Sequence, residues 1–164
     1  MSVSKLAHFQ RQIVLQRRMA LTICASAGAS MLLALIGFAL QSVISSIAVE
    51  LFVRGIAGEF MGWGMLQVVA ALVSLRQTQV AESRRQLPEN HVQKLVPLFR
   101  FVAMLSVAFA IAGVALLILG LSLRNPLLSG HGVGIALECV ILRIMCRWFA
   151  RRLTASIETR TNDR

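Results

Sequence analysis

The chain has 164 residues, of which 57% are hydrophobic, and its formal net charge is +10. Its mean hydropathy of +0.73 is too high for a soluble domain, in which roughly half of the residues are apolar. The basic residues flank hydrophobic runs and tyrosine is absent, so no basic patch with base-stacking aromatic residues is indicated. The composition therefore predicts an integral membrane protein without a nucleic-acid partner.

Residues 1–18 predict a basic amphipathic segment, because Leu6, Phe9 and Ile13 recur on one face at helical spacing. Such a helix can lie on the anionic cytoplasmic leaflet, and a solvated tail is the alternative. The following apolar run, residues 19–40, is longer than the hydrophobic region of a cleaved signal peptide. It is long enough to cross a bilayer and predicts the first span.

Residues 41–59 permit two interpretations. Their polar side chains recur every four residues and form one stripe: Ser46, Glu50 and Arg54. Such a stripe suits an interfacial helix over residues 43–54, or a continuation of the first span beyond the membrane. Glycine at positions 55 and 58 would allow a turn before the second span.

The second and third spans are predicted over residues 56–75 and 101–123. In the second span, Gly58 and Gly62 form a G-x-x-x-G pattern, which favours close approach of another helix. The third span has no charged residue and carries a stripe of small side chains: Ala103, Ser106, Ala110, Gly113 and Gly120. We expect both faces to pack against helices and not against lipid.

Residues 76–100 are polar and basic, and they are predicted to form a cytoplasmic loop. Within it, Pro88 is expected to separate a helical extension of the second span from the approach to the third, and Pro97 marks the next boundary. The fourth span is predicted over residues 126–148, because Asn125 can cap a helix and proline suits the first helical position. Residues 153–164 are expected to form a polar tail. The membrane domain as a whole would then cover residues 19–152.

The positions of the basic residues predict the orientation. Four lie before the first span, five in the central loop and five at or after the end of the fourth span. The opposite side would hold Arg54 and Arg124 alone. This asymmetry predicts an all-α bundle of four transmembrane helices with both termini in the cytoplasm, in a bacterial inner membrane.

The fourth span holds ionisable groups at membrane depth, where such groups are functional candidates. His131 and Glu138 are seven positions apart, so they share nearly one face and lie about 10 Å apart along the axis. One hypothesis is a polar track for protons or a cation. The alternative is that Glu138 is neutral or bonded to a neighbouring helix and that His131 lies at the outer headgroups. A lone histidine predicts neither a metal site nor a haem site.

The same span ends in a ridge of arginines: Arg143, Arg147, Arg151 and Arg152. Arg143 lies about 140° around the helix from Glu138, so the two do not pair easily within it. Arg143 can extend toward the cytoplasm, where the ridge would contact anionic lipid or an acidic partner. Ordinary positive flanking of a membrane span is the alternative.

The sequence contains no catalytic motif that we recognise and no C-x-x-C pair, so neither an enzyme nor a cofactor is expected. The leading hypothesis is a non-enzymatic accessory or assembly subunit of a larger bacterial membrane complex, such as a secretion or conjugation apparatus. The alternatives are an immunity or entry-exclusion membrane protein, and a small transporter or channel that uses Glu138. The expected partners are anionic lipids and other membrane subunits or a second copy.

Overall fold

The structure is a computed structural model that describes the backbone of residues 3–83 and 91–162 and the side chains of residues 9–83 and 95–155. These described ranges form four long α-helices and one short 3₁₀ turn, without a strand. The elements are α1 Val3–Leu40, the 3₁₀ turn Gln41–Val43, α2 Ile47–Ser83, α3 His91–Ser122 and α4 Pro126–Asn162. The predicted all-α class is confirmed.

The helices form two antiparallel hairpins, α1–α2 and α3–α4, which pack together through α2 and α4. α2 and α4 run in the same direction, since Gly55 lies beside Leu127 and, further along both helices, Gln67 lies beside Glu138. α4 is therefore the central helix, with α2 on one side and α3 on the other.

Three helical segments are long and apolar enough to cross a membrane: Phe9–Val43, Ile47–Ser83 and Leu95–Ser122. Their outer faces expose large aliphatic side chains such as Leu32, Leu66 and Ile111, each about 60% exposed. Such surfaces are unfavourable in water and suit lipid. α4 has a similar length but is not among these three segments. It carries His131 and Glu138 and is largely enclosed by its neighbours.

Within the predicted segment 1–18, residues from Val3 onward form the beginning of α1, which continues without a break to Leu40. Ile13 and Gln16 on its inner face are 7% exposed and pack into the bundle. Where side chains are described, from Phe9 onward, the predicted apolar face continues the inner face of the first span. The side chain of Leu6 lies outside the described residues.

Residues 41–59 comprise the 3₁₀ turn Gln41–Val43, a break and the first part of α2. The chain breaks at residues 44–46, and α2 then runs from Ile47 through Gly55 and Gly58, where the sequence predicted a turn. Glycine inside a helix costs about 1 kcal/mol relative to alanine. Gly55 permits tight packing on α4, and this tertiary contact offsets the local preference.

In the predicted connection 76–100, α2 extends to Ser83, in line with the expected helical extension, and α3 begins at His91, earlier than predicted. Pro88 lies outside the described residues. α3 continues through Pro97, although proline removes one backbone hydrogen bond. Phe99, two positions further on, packs on Phe149 of α4 with ring centroids 5.4 Å apart, and this contact supports the helix. α4 likewise continues through the first ten residues of the predicted polar tail, to Asn162.

The turn between α3 and α4 has the predicted capping chemistry. Asn125 Oδ1 accepts a hydrogen bond from the Leu128 N–H at 3.1 Å, and α4 begins at Pro126. Arg124 has a φ of 51°, a left-handed conformation that ends α3. The Asn125 N–H then donates to the Gly120 carbonyl at 2.8 Å, which closes the turn.

Candidate functional site

Glu138 lies in the centre of the bundle and connects three helices. It is 1% exposed. Ser30 Oγ on α1 donates to its Oε1 at 2.6 Å, and Gln67 Nε2 on α2 lies 3.2 Å from its Oε2. Each carboxyl oxygen is thus held by a different neighbouring helix.

Both side chains that donate hydrogen bonds to Glu138 are neutral, so neither compensates a negative charge on this buried carboxyl group. An ionised carboxylate is costly to bury without a cation, whereas a carboxyl group that is hydrogen-bonded on both oxygens is tolerated. Gln67 Oε1 is also buried and has no recorded partner. The network therefore has one unused acceptor beside the carboxyl group.

Glu59 and His131 form a second polar contact between α2 and α4. His131 Nδ1 lies 2.7 Å from Glu59 Oε1, and the side chains are 36% and 22% exposed respectively. The contact is an ion pair when the imidazole is protonated and a hydrogen bond when it is neutral. It lies about 10 Å along α4 from Glu138, toward the α3–α4 turn.

Sequence analysis missed Glu59 as a site residue, although it falls inside the predicted second span. An acid at membrane depth was the available signal, and the same signal identified Glu138. What the sequence did not reveal was the partner, because His131 is 72 positions away. His131 contacts α2 through Glu59.

Close approach of α2 and α4 depends on glycine. A Cβ added to Gly55 would lie 2.5 Å from the Leu127 carbonyl oxygen, and one added to Gly130 would overlap the Phe52 carbonyl oxygen. A Cβ added to Gly134 would lie 2.7 Å from the Cβ of Glu59. The helices therefore meet backbone to backbone, which holds Glu59 and His131 side by side.

The predicted Gly58–Gly62 pair is not the packing surface within this chain. A Cβ at Gly58 would make only an ordinary 3.7 Å contact with His131, and nothing lies within 4 Å of one at Gly62. Gly62 lies about 140° around α2 from the inward-facing Gln67, which explains its exposure. A glycine spacing does not by itself show which side of a helix faces its neighbour.

The predicted small-residue stripe of α3 lies against α4. Four of its members are buried: Ala103, Ser106, Gly113 and Gly120. Ala110 is partly buried. A Cβ at Gly113 would approach the Gly132 carbonyl oxygen to 2.8 Å, so these backbones are also in close contact. The stripe is therefore used inside the chain and does not leave an open surface for a partner.

The arginine ridge lies at the opposite end of α4 from Asn125. Arg143 is partly buried, whereas Arg147, Arg151 and Arg152 are exposed. The Arg152 guanidinium carbon lies 5.4 Å from the centroid of the Trp148 ring, a cation–π distance. Among the described residues, no acidic side chain forms a recorded ion pair with the ridge.

A small cavity of about 50 Å³ lies near the same end, between α1, α2 and α3. Its polar lining comes from Gln16, Ser74 and Gln77. Gln16 Nε2 is buried without a recorded hydrogen-bond partner. The cavity has room for one or two water molecules, since a water occupies about 30 Å³ in the liquid. Such waters would satisfy this donor.

The cysteines have no recorded redox or metal partner. Cys139 and Cys146 are buried and Cys24 is partly buried, and all three are free. The described residues contain no group of three or more metal-binding side chains. The core network of Glu138, Ser30 and Gln67 and the Glu59–His131 pair are therefore the candidate functional groups.

Comparison of the chain with models of protein families, with curated proteins and with solved structures finds no match. Its function therefore has to be inferred from the core network and from the surface of the bundle.

Proposed function

We propose that the chain is a four-span protein of a bacterial inner membrane and a non-enzymatic accessory or assembly subunit of a larger membrane complex, such as a secretion or conjugation apparatus. The observation that supports this best is the enclosure of Glu138, which is 1% exposed and bonded to Ser30 and Gln67. A carboxyl group held in this way stabilises the bundle and presents no face to a substrate. The outer surface is then the part available for function.

The spacing of boundary residues supports α4 as the fourth span. For each of α2, α3 and α4, two arginines flank the apolar part of the helix. The two are 22 to 24 positions apart: Arg54 and Arg76 for α2, Arg100 and Arg124 for α3, and Arg124 and Arg147 for α4. Each separation corresponds to roughly 33–36 Å of helix, which fits a hydrocarbon core of about 30 Å with a modest tilt. α4 thus has the same polar boundaries as its neighbours.

The helices also extend beyond such a bilayer. α1, α2 and α4 have 38, 37 and 37 residues, which corresponds to about 55 Å each. On α1 and α4 the excess lies at the arginine-rich end, where Met19, Phe149 and Leu153 form a buried cluster. On α2 it is seven residues on each side of the Arg54–Arg76 interval. The helical extension at the arginine-rich end offers a partner subunit an ordered surface in the cytoplasm.

Assembly can be tested by purifying the tagged full chain from its native host in mild detergent. We expect it to migrate on native gels in a complex far larger than one 17.9 kDa chain, with other membrane proteins identified by mass spectrometry. As a control, a tagged unrelated inner-membrane protein should not recover the same set. Recovery of the chain alone, or only with copies of itself, would contradict the assembly role.

Transport of protons or a cation is the second candidate, and the Glu59–His131 pair favours it. This pair and Glu138 place two ionisable sites in line along the α2–α4 contact. If they form a pathway, purified chain in liposomes should carry a flux. Glu59→Gln and Glu138→Gln should each abolish that flux while the protein remains folded. Absence of any flux from the wild-type chain would reject this candidate.

A further inference from the structure

Each of the four helices carries an exposed arginine toward the same end of the bundle. These residues, here called the arginine belt, are Arg18 on α1, Arg76 on α2, Arg100 on α3 and Arg147 on α4. We propose that the arginine belt binds the phosphate groups of anionic phospholipids in the cytoplasmic leaflet. The proposal rests on the membrane-spanning part of the proposed function and is independent of the assembly part.

Packing inside the bundle places the belt at one level. Met19, Phe99 and Phe149 pack together in the core, and each lies within two positions of a belt arginine. Ser74 and Gln77, which flank the remaining arginine, line the small cavity together with Met19 and Phe99. The four arginines therefore lie within about one helical turn of a common plane.

The outer surface changes from apolar to cationic at this plane. About one turn from the belt, toward the α3–α4 turn, each helix exposes a large apolar side chain: Leu21, Leu72, Met104 and Ile144, between 54% and 67% exposed. Each is three or four positions from its arginine, so the two share one face of the helix. Lipid tails on this surface would give way to headgroups at the belt.

No acidic side chain in the described part of the chain forms an ion pair with the belt: the ion pair found there joins Glu59 and His131, nearer the opposite end. Glu138 is enclosed in the core, and Glu82 is exposed on α2 six positions after Arg76. Guanidinium groups bind phosphate through two parallel hydrogen bonds, so a phosphodiester is a suitable counterion. Trp148, which is 43% exposed, adds an aromatic side chain of the type enriched at headgroup level.

The distribution of the belt favours lipid over an acidic protein. Its members lie on all four helices, and their apolar neighbours show that each faces outward. A partner protein approaches from one side, whereas lipids surround a bundle. The opposite end has Arg54 and Arg124 alone among these interfacial arginines, which matches the lower negative charge of an outer leaflet.

Trp148 provides a local probe, because the chain contains only two tryptophans. The full chain with Trp63→Phe would be reconstituted in phosphatidylcholine vesicles containing brominated phosphatidylglycerol or brominated phosphatidylcholine. Quenching of Trp148 measures the relative binding of the two lipids. We expect several-fold tighter binding of phosphatidylglycerol, weakened at high salt.

The matched variants each remove two arginines. Arg100→Gln with Arg147→Gln should reduce the several-fold preference to near parity, because each basic residue near an anionic surface adds to the binding of anionic lipid. Arg54→Gln with Arg124→Gln should keep the preference. Arg100→Lys with Arg147→Lys retains the charge and should keep most of it. Circular dichroism and flotation with the vesicles would show that each variant is folded and inserted.

Equal binding of the two lipids by the inserted wild-type chain would overturn the proposal and would leave an acidic protein as the partner of the belt. An unchanged preference in the Arg100→Gln, Arg147→Gln variant would also overturn it. Inorganic phosphate, compared with chloride at equal ionic strength, should not displace the lipid. Displacement of the lipid would show that the belt binds free phosphate and not lipid headgroups. Failure of the chain to float with vesicles would instead reject the membrane-spanning function itself.

Discussion

Ser30 Oγ lies 2.6 Å from Glu138 Oε1, and this hydrogen bond joins α1 to α4 across the centre of the bundle. Gln67 on α2 lies 3.2 Å from the other carboxyl oxygen. One side chain therefore links three helices in a region whose outer surface is aliphatic. In such surroundings an unmatched polar group has no water to replace its lost partner.

Removing the hydroxyl of Ser30 should destabilise the bundle. Ser30→Ala leaves one Glu138 oxygen without its donor, and we expect the free energy of unfolding to fall by about 1 kcal/mol. Ser122→Ala is the matched control, because the Ser122 hydroxyl is exposed and bonds only to the Ile118 carbonyl of its own helix. Unfolding in mixed detergent micelles measures both. Equal losses of unfolding free energy in the two variants would show that the hydrogen bond from Ser30 to Glu138 does not stabilise the tertiary structure.

Substitutions of Glu138 separate a structural role from transport. Glu138→Gln keeps polar atoms opposite Ser30 and Gln67 and should preserve most of the folding and function. Glu138→Leu leaves both partners unmatched and should cost about 1–3 kcal/mol, with loss of membrane abundance and phenotype. Both are scored in the native host. Normal abundance with a lost phenotype in the Gln variant would indicate a proton or cation carrier instead.

Alanine at two glycines of α2 should have opposite effects. In Gly55→Ala the new Cβ would lie 2.5 Å from the Leu127 carbonyl oxygen, so α2 and α4 must separate and stability should fall by more than 1 kcal/mol. In Gly62→Ala the Cβ meets nothing within 4 Å. That variant should be neutral or gain up to about 1 kcal/mol of helix propensity. Thermal unfolding in detergent compares them, and tolerance of Gly55→Ala would contradict the close contact.

Glycine at position 124 should stabilise the α3–α4 turn. Arg124 has a φ of 51°, which costs a residue with a Cβ about 1 kcal/mol and costs glycine little. Arg124→Gly should therefore raise the free energy of unfolding by roughly 0.5–1 kcal/mol. Arg54→Gly, an exposed position inside α2, should lower it by about 1 kcal/mol. A shift of the same sign in both variants would show that charge loss dominates over backbone conformation.

Topology reporters test the four-span arrangement. Fusions after Leu40 and near Asn125 should report outside, and fusions near Glu89 and at Arg164 should report inside. The reason is the concentration of arginine and lysine on the latter side. A cytoplasmic signal near Asn125 would contradict the four-span arrangement. It would place the α3–α4 turn on the cytoplasmic side, so α4 would not cross the membrane in the predicted direction.

The sequence by itself determined the helical class, the apolar segments and the α3–α4 turn. These properties are local: hydropathy accumulates along about 20 residues, and the cap depends on Asn125 and its immediate neighbours. The ends of the helices could not be predicted from such local signals. Gly55, Gly58 and Pro97 predicted breaks that do not occur, because contacts with α4 support the helix through or beside each of them.

Only the tertiary structure decided which polar groups meet. Glu138 is hydrogen-bonded to Ser30 and Gln67, which are 108 and 71 positions away in the sequence. His131 contacts Glu59, which is 72 positions away. Such pairing depends on how far each helix is rotated about its own axis. In a chain whose spans are apolar on almost every side, hydrophobic periodicity leaves that rotation open. Backbone contact at Gly55, Gly113 and Gly130 sets it, because only one face of each helix allows so close an approach.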